Sequence, residues 1–259
     1  MRITVLGSGT SNGVPVIGCD CRVCQSDDPR DRRTRPSIAI EAGETTIAVD
    51  TTPELRLQFL ANGIRRLDAV VYTHEHADHI YGLDDVRVFS MRRGPLPVYG
   101  RARVLDTLRR AFAYIFSDAL PRAGGGKPSL DLRVVDGPFE IQGVPFEPIV
   151  VWHGQLAIDA YRIGDFAYVT DVGRIDDASM DRLRGLDVLI LDALREARHP
   201  THFSLAEALA TIEDLRPRRA FLTHICHEMK HGDFDGKLPA GVAFAYDGLR
   251  IEIDDPPIR

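Results

Sequence analysis

The sequence of 259 residues predicts an α/β protein, and three observations carry that expectation. Short apolar runs rich in β-branched residues recur along the whole chain, bounded by Gly, Asp or Pro. Segments with helix start and stop signals lie between them. Several of the runs end in, or beside, an Asp or a His, as expected when a site is assembled along one rim of a sheet.

Taken in order, Ile3–Leu6 is the first strand, and the Gly-rich turn Gly7–Asn12 behind it can offer backbone N–H groups to an anion through Ser8, Thr10, Ser11 and Asn12. Ser37–Ile40 and Thr46–Val49 are strands. Pro53–Asn62 reads as a helix because Pro and Glu open it and Asn62-Gly63 closes it. Ala69–Tyr72 is a short buried strand, Ala102–Phe112 a helix, and Phe146–Val151 and Ala167–Thr170 strands. Helix Ala178–Leu183 and strand Asp187–Leu191 follow. Helix Ser204–Leu215 carries Ser204 as N-cap with Glu207 three residues on, and strand Ala220–Thr223 closes the series. No repeat or low-complexity linker divides the chain, so one domain over 1–259 is expected. Gly124–Pro128 is the flexible-looking stretch, a surface loop or a lid.

A hydrophobic content of 44% with 27% charged residues is that of an ordinary globular protein. The net charge of −6 argues against a protein built to grip nucleic acid, although a small phosphorylated substrate beside bound cations is compatible with it. No apolar run approaches the roughly 20 residues that span a bilayer, and Met1 leads straight into a strand pattern. A cytoplasmic protein is therefore expected, with its 4 cysteines as thiols or metal ligands rather than disulfides.

The most informative string is Thr73-His74-Glu75-His76-Ala77-Asp78-His79, placed directly behind the strand Ala69–Tyr72. Three imidazoles and a carboxylate so close together offer nitrogen and oxygen donors to a borderline divalent cation. Four other strands lead toward Asp50, His153, Asp171 and His224. Singly, each has a plain explanation as a turn cap or a core histidine. Behind strands, and beside the motif, they favour a metallohydrolase with two cations. A carboxylate such as Asp171 has the two oxygens needed to bridge them.

A second cluster, Cys19, Cys21 and Cys24, puts three thiols on a turn at about residues 18–25 that Gly18 lets wrap. With one imidazole they would close a tetrahedral structural Zn site. His227 is the favoured fourth ligand and Cys226 the competitor. Arg30–Arg35 is the densest basic patch, read as a solvated loop or as a surface that steers substrate.

These residues in this order resemble the metallo-β-lactamase superfamily, over a span from Gly7 to about Gly248. The resemblance implies a four-layer αβ/βα sandwich. It also implies that His74, His76 and His153 bind one metal, that Asp78, His79 and His224 bind the other, that Asp171 bridges them, and that Asp50 orients a ligand histidine through its distal ring N–H. The catalytic ions would be Zn or Mn, with one structural Zn at the knuckle. Within the superfamily, the Gly-Ser-Gly-Thr-Ser turn followed by the thiol knuckle is similar to the cyclic phosphodiesterase branch of phosphonate degradation. That branch implies hydrolysis of a small, including cyclic, phosphodiester by a metal-bridging hydroxide. His202 is expected as the proton donor and Asp78 as the other residue of the chemistry. Relatives often pair as dimers, and a homodimer is an expectation carried over here. The alternatives are a carboxylic ester, thioester or lactone hydrolase, or an RNA 3′-end nuclease. The nuclease is disfavoured by charge and by the lack of an arm insertion. A scaffold would be expected to have lost ligands, and none is missing; a diiron redox protein usually needs a further electron carrier, and the sequence shows no flavin domain.

Overall fold

The computed structural model describes residues 1–117 and 126–253. Its strands form two seven-stranded sheets, and each half of the chain supplies most of one. The first sheet contains β1 (Arg2–Gly7), β2 (Ser37–Ala42), β3 (Thr45–Val49), β4 (Ala69–Val71), β5 (Leu96–Gly100) and β6 (Leu130–Val134). The second contains β7 (Phe139–Ile141), β8 (Val144–His153), β9 (Leu156–Ile163), β10 (Phe166–Val169), β11 (Val188–Asp192), β12 (Arg219–Thr223) and β13 (Val242–Phe244). The last strand, β14 (Arg250–Glu252), returns to the first sheet and pairs with β1.

Alternation along the strands decides how the sheets stack. Ile38, Ile40, Ile47, Val49, Val188 and Ile190 all enter one core with residues of the opposite sheet. Their neighbours face outward into cores beneath helices, Ala39 and Ala48 into one and Leu189 into another. Successive strand side chains point to opposite faces, so a strand buried on both sides reads as a continuous apolar run. On the outer face of the first sheet lie α1 (Leu55–Asn62), α2 (Ala77–Ile80), α3 (Arg87–Arg93), α4 (Ala102–Ala111) and α5 (Ala113–Phe116). On the second lie α6 (Asp177–Arg182) and α7 (Leu205–Leu215). The result is helix, sheet, sheet, helix: the four layers expected.

The helix ends follow the sequence signals. Gly63 closes α1 in the left-handed conformation, and Ser204 and Glu207 make a complete capping box at α7. Parallel pairing of β3 with β4, and of β10, β11 and β12, sends these strands' C-terminal ends to the same side of their sheets. Asp50, Asp171 and His224, just beyond β3, β10 and β12, adopt positive φ of 67°, 55° and 60°. Non-glycine residues hold that conformation only where the surroundings dictate it. Three strained turns therefore coincide with three of the candidate site residues.

Several expectations need correction. Arg30–Arg35 is not a uniformly solvated basic patch: Arg32 is exposed, but Arg30 pairs with Asp28 and Asp235, Arg35 with Glu54, and Arg33 is fully buried against Asp31. Of the proposed lid, Gly124 and Gly125 lie outside the described residues, while Gly126–Pro128 packs beside Met91 and Phe116. Among the described residues, no helix is long and apolar enough to cross a membrane.

Candidate metal centre

The motif behind β4 is wound so that three of its side chains are buried together. His74 and His79 are fully buried and Asp78 nearly so. The short helix α2 begins at Ala77, inside the motif, and this turn brings Asp78 and His79 back toward His74, whose ring centroid is 4.1 Å from that of His79. His74 Nε2 and His76 Nδ1 face each other at 3.0 Å. His153, at the end of β8, sets its ring edge-on to His76 at 5.1 Å and tilted toward His74 at 5.8 Å.

Asp171 occupies the middle of the array. One carboxylate oxygen is 3.3 Å from His79 Nε2 and the other 3.1 Å from His224 Nε2. Asp78 reaches the same His79 nitrogen at 3.3 Å. Asp78, His79, Asp171 and His224 bring ligand atoms within 4.8 Å of one another, and so do His153, Asp171 and His202.

The electrostatics call for positive charge at this point. Burial opposes a proton on His79, yet Asp171, Asp50 and Asp78 hold its pKa well above the usual imidazole range. Burial likewise works against a charged His224, but Asp171 lifts it to about 9. Asp171, against the effect of its own burial, is held well below the carboxylate range by His224 and His79. Burial, aided by His79, drives His74 the other way, well below the imidazole range. The buried Nε2 atoms of His79 and His224 make no hydrogen bond although carboxylate oxygens stand beside them. Imidazole lone pairs and carboxylates converging on the same points are a donor set for divalent cations, which would satisfy both.

Around these side chains lies a ring of orienting groups. Asp50 accepts from the Thr73 N–H at 2.9 Å, the Thr73 hydroxyl at 2.8 Å and His79 Nδ1 at 2.7 Å. The Thr73 oxygen lies 3.0 Å from His74 Nδ1, so a hydroxyl that donates to Asp50 accepts from His74. One carboxylate thereby fixes the ring orientation of two histidines. His153 Nδ1 donates to the Thr201 carbonyl at 3.1 Å.

His202, buried, reaches the array from the loop before α7. Its ring stacks 4.5 Å from His224 and lies 4.6 Å from His153. Its Nδ1 donates to Asp192 at 2.8 Å, while the other Asp192 oxygen is 3.9 Å from His224 Nδ1. Asp192 was absent from the sequence reading. The signal was available, because the apolar run Asp187–Leu191 ends in Asp192 as the other runs end in their own site residues. Thr201 was also missed: it acts through a backbone carbonyl, which no residue type announces. Its place is set by Gly154 and Gly173, where an added Cβ would come within 2.8 and 2.7 Å of Thr201 atoms.

The thiols form a separate cluster. His227 Nδ1 lies 3.2 Å from the sulfur of Cys19 and 3.6 Å from those of Cys21 and Cys24. The Cys24 N–H, at 3.4 Å, is the leading cause that brings the Cys21 thiol down to about 6, while burial pushes Cys24 up to about 11. Three sulfurs around one imidazole nitrogen fit a closed tetrahedral ion. Cys226 turns aside and accepts from the Glu228 N–H at 3.4 Å.

Known proteins resemble this chain in sequence and in fold. The family described as the Beta-lactamase superfamily domain matches residues 45–225. The crystal structure of a new diphosphatase from the PhnP family superposes with a TM-score of 0.91 at 45% identity, covering 98% of each chain. A Porphyromonas gingivalis protein named octanoyltransferase is 40% identical over all of this chain, which spans only 53% of that protein's length. The coenzyme PQQ synthesis protein B of Xanthomonas oryzae pv. oryzae is 28% identical over 97% of this chain and 86% of its own. The match covers the motif and residues 50, 153, 171 and 224, and the chain belongs to the beta-lactamase superfamily, with its metallo-β-lactamase fold.

Proposed function

We propose that this superfamily hydrolase cleaves a small phosphodiester-type linkage, either carbon–oxygen–phosphorus or the phosphorus–oxygen–phosphorus bridge of a diphosphate. The observation that carries the reading is Asp171. Its carboxylate belongs both to the group of Asp78, His79 and His224 and to the group that contains His153, as a carboxylate shared by two cations requires. His74, His76 and His153 would hold one ion, Asp78, His79 and His224 the other, and Cys19, Cys21, Cys24 and His227 a structural Zn. Bound there, a pair of Zn or Mn ions supplies an activated water and neutralises charge on the phosphoryl oxygens.

The chain's own residues supply the rest. Asp50, through Thr73 and directly, keeps the Nε2 atoms of His74 and His79 turned toward the cations. His202 has its Nδ1 engaged by Asp192, which leaves Nε2 to deliver a proton to the departing oxygen. Asp192, buried and beside the ring, stabilises the imidazolium that this transfer consumes. The likeness to a diphosphatase at 45% identity supports phosphorus, rather than carbonyl carbon, as the centre attacked.

The test is hydrolysis of bis(4-nitrophenyl) phosphate and of a dinucleoside diphosphate by the metal-loaded protein. His202→Ala and Asp192→Asn should each lower kcat about 100-fold or more, with metal content unchanged. Inactivity on both phosphorus substrates together with rapid cleavage of a thioester or lactone would replace this reading with the carboxylic-ester one.

A further inference from the structure

We propose that Arg33 is a positioning residue that ties the thiol knuckle to His224, so that the two clusters bind their metals as one mechanical unit; this rests on the metal reading above. Arg33 has no exposed side-chain surface, and its guanidinium is spread over four acceptors. Nη1 donates to the Cys226 carbonyl at 2.8 Å. Nη2 donates to the Met229 carbonyl at 2.8 Å and to Asp31 at 2.7 Å, and Nε donates to the Arg30 carbonyl at 3.3 Å. Its main chain pairs both ways with Val14, at 2.7 and 2.8 Å. Val14 packs with Val23 and Cys24 at the base of the knuckle.

One residue thus grips the knuckle with its backbone and the segment Cys226–Met229 with its side chain. That segment begins two residues after His224 and contains His227, so a single short stretch serves both clusters. From the other side, Ile225 donates to the Ser8 carbonyl and Cys226 to the Leu194 carbonyl, each at 2.9 Å. The positive φ of His224, 60°, is a conformation that persists when such contacts over-determine it. A lysine could not replace the fork, because an ammonium is a point donor and the acceptors lie in several directions around a plane. Gly9 gives independent support. A Cβ there would fall 2.8 Å from the Arg33 carbonyl oxygen and 2.9 Å from its Cβ, so the first turn is pressed against Arg33.

The experiment uses full-length protein loaded with Co(II), in wild-type form and as Arg33→Lys, Gly9→Ala and Cys21→Ser. Thiolate-to-cobalt charge-transfer absorption reports the knuckle, and chelator competition reports the ions held by the His/Asp array. All three variants should loosen the array's ions by about tenfold, although none of the substituted residues belongs to it. A Cys21→Ser protein that loses thiolate absorption yet holds the other ions with wild-type affinity would overturn the proposal. So would an Arg33→Lys protein with both signals unchanged. If Arg33→Lys fails to fold, Gly9→Ala, which keeps the guanidinium and its acceptors, decides. Neither readout uses substrate, so an error in the substrate class leaves the result legible. Wild-type protein that takes up no cobalt in the array would instead defeat the metal reading, and this proposal with it.

Discussion

Asp50→Asn is the cleanest perturbation of the site, because asparagine tolerates the left-handed backbone at φ 67° as well as aspartate does. Shape and backbone stay the same, and one oxygen becomes an NH2 group. Asp50 is fully buried and accepts three hydrogen bonds, the Thr73 N–H on one oxygen and the Thr73 hydroxyl and His79 on the other. An amide can be oriented in two ways, and both fail. With NH2 toward the Thr73 N–H, two donors face each other and a buried backbone N–H loses its acceptor, a cost of about 1–3 kcal/mol. With NH2 toward His79, the imidazole must accept at Nδ1, which moves its proton to Nε2, the nitrogen that faces Asp78 and Asp171 at 3.3 Å. A protonated Nε2 cannot ligate a cation.

Either outcome removes roughly 1.5–3 kcal/mol from metal binding, equivalent to a loss of about 10- to 100-fold in affinity. Chelator competition on wild-type and Asp50→Asn proteins at neutral pH measures it directly. Near-UV circular dichroism checks that the fold is retained. An Asp50→Asn protein that binds its ions as tightly as wild type would refute the assignment of Asp50 as the group that orients His74 and His79.

Two further predictions concern packing and titration. Gly173→Ala would place a Cβ 2.7 Å from the Thr201 carbonyl carbon and oxygen and 3.2 Å from the His202 nitrogen, displacing the loop that serves His153 and His202. A loss of about 1–3 kcal/mol in urea unfolding and a marked fall in kcat are expected; a variant with wild-type stability and turnover would contradict the clamp. His231 is buried, and burial, with Arg30 and Arg33 nearby, keeps its pKa below the ordinary 6.5. The unfolded chain therefore takes up a proton that the folded protein refuses, so stability falls as pH drops from 6.5 toward the depressed folded value. The slope in that window approaches about 1.4 kcal/mol per pH unit for one group. His231→Phe should remove that part of the acid sensitivity, since Nδ1 makes no hydrogen bond to lose. Parallel pH–stability profiles of the two proteins would count against it.

What the sequence made legible follows from the physics of strands. A strand buried on both faces is a run of apolar residues, and residues just beyond such runs were readable as site candidates: Asp50, His74, Asp171 and His224 all came from that pattern. Strands that depart from it were hidden. Pro97 interrupts β5, and Asp131 and Arg133 alternate through the edge strand β6. In β9 the charged Asp159 is buried only because Arg101 comes from another element to pair with it at 2.5 Å. The same limit explains Arg33. Six residues dense in arginine look solvated until Cys226 and Met229, far along the chain, are brought beside one of them. Pairings of that kind depend on the finished fold, and local residue types do not announce them. Asp192 is a different case, since its position directly after an apolar run is legible in the sequence itself.

The most direct measurement is anomalous diffraction from crystals of the metal-loaded protein, collected on both sides of the absorption edge of the bound element. Three peaks per chain are expected: two adjacent ones flanking Asp171, within reach of His74, His76, His153, Asp78, His79 and His224, and one among Cys19, Cys21, Cys24 and His227. A single peak in the His/Asp array, or none, would contradict the paired centre from which the chemistry is derived.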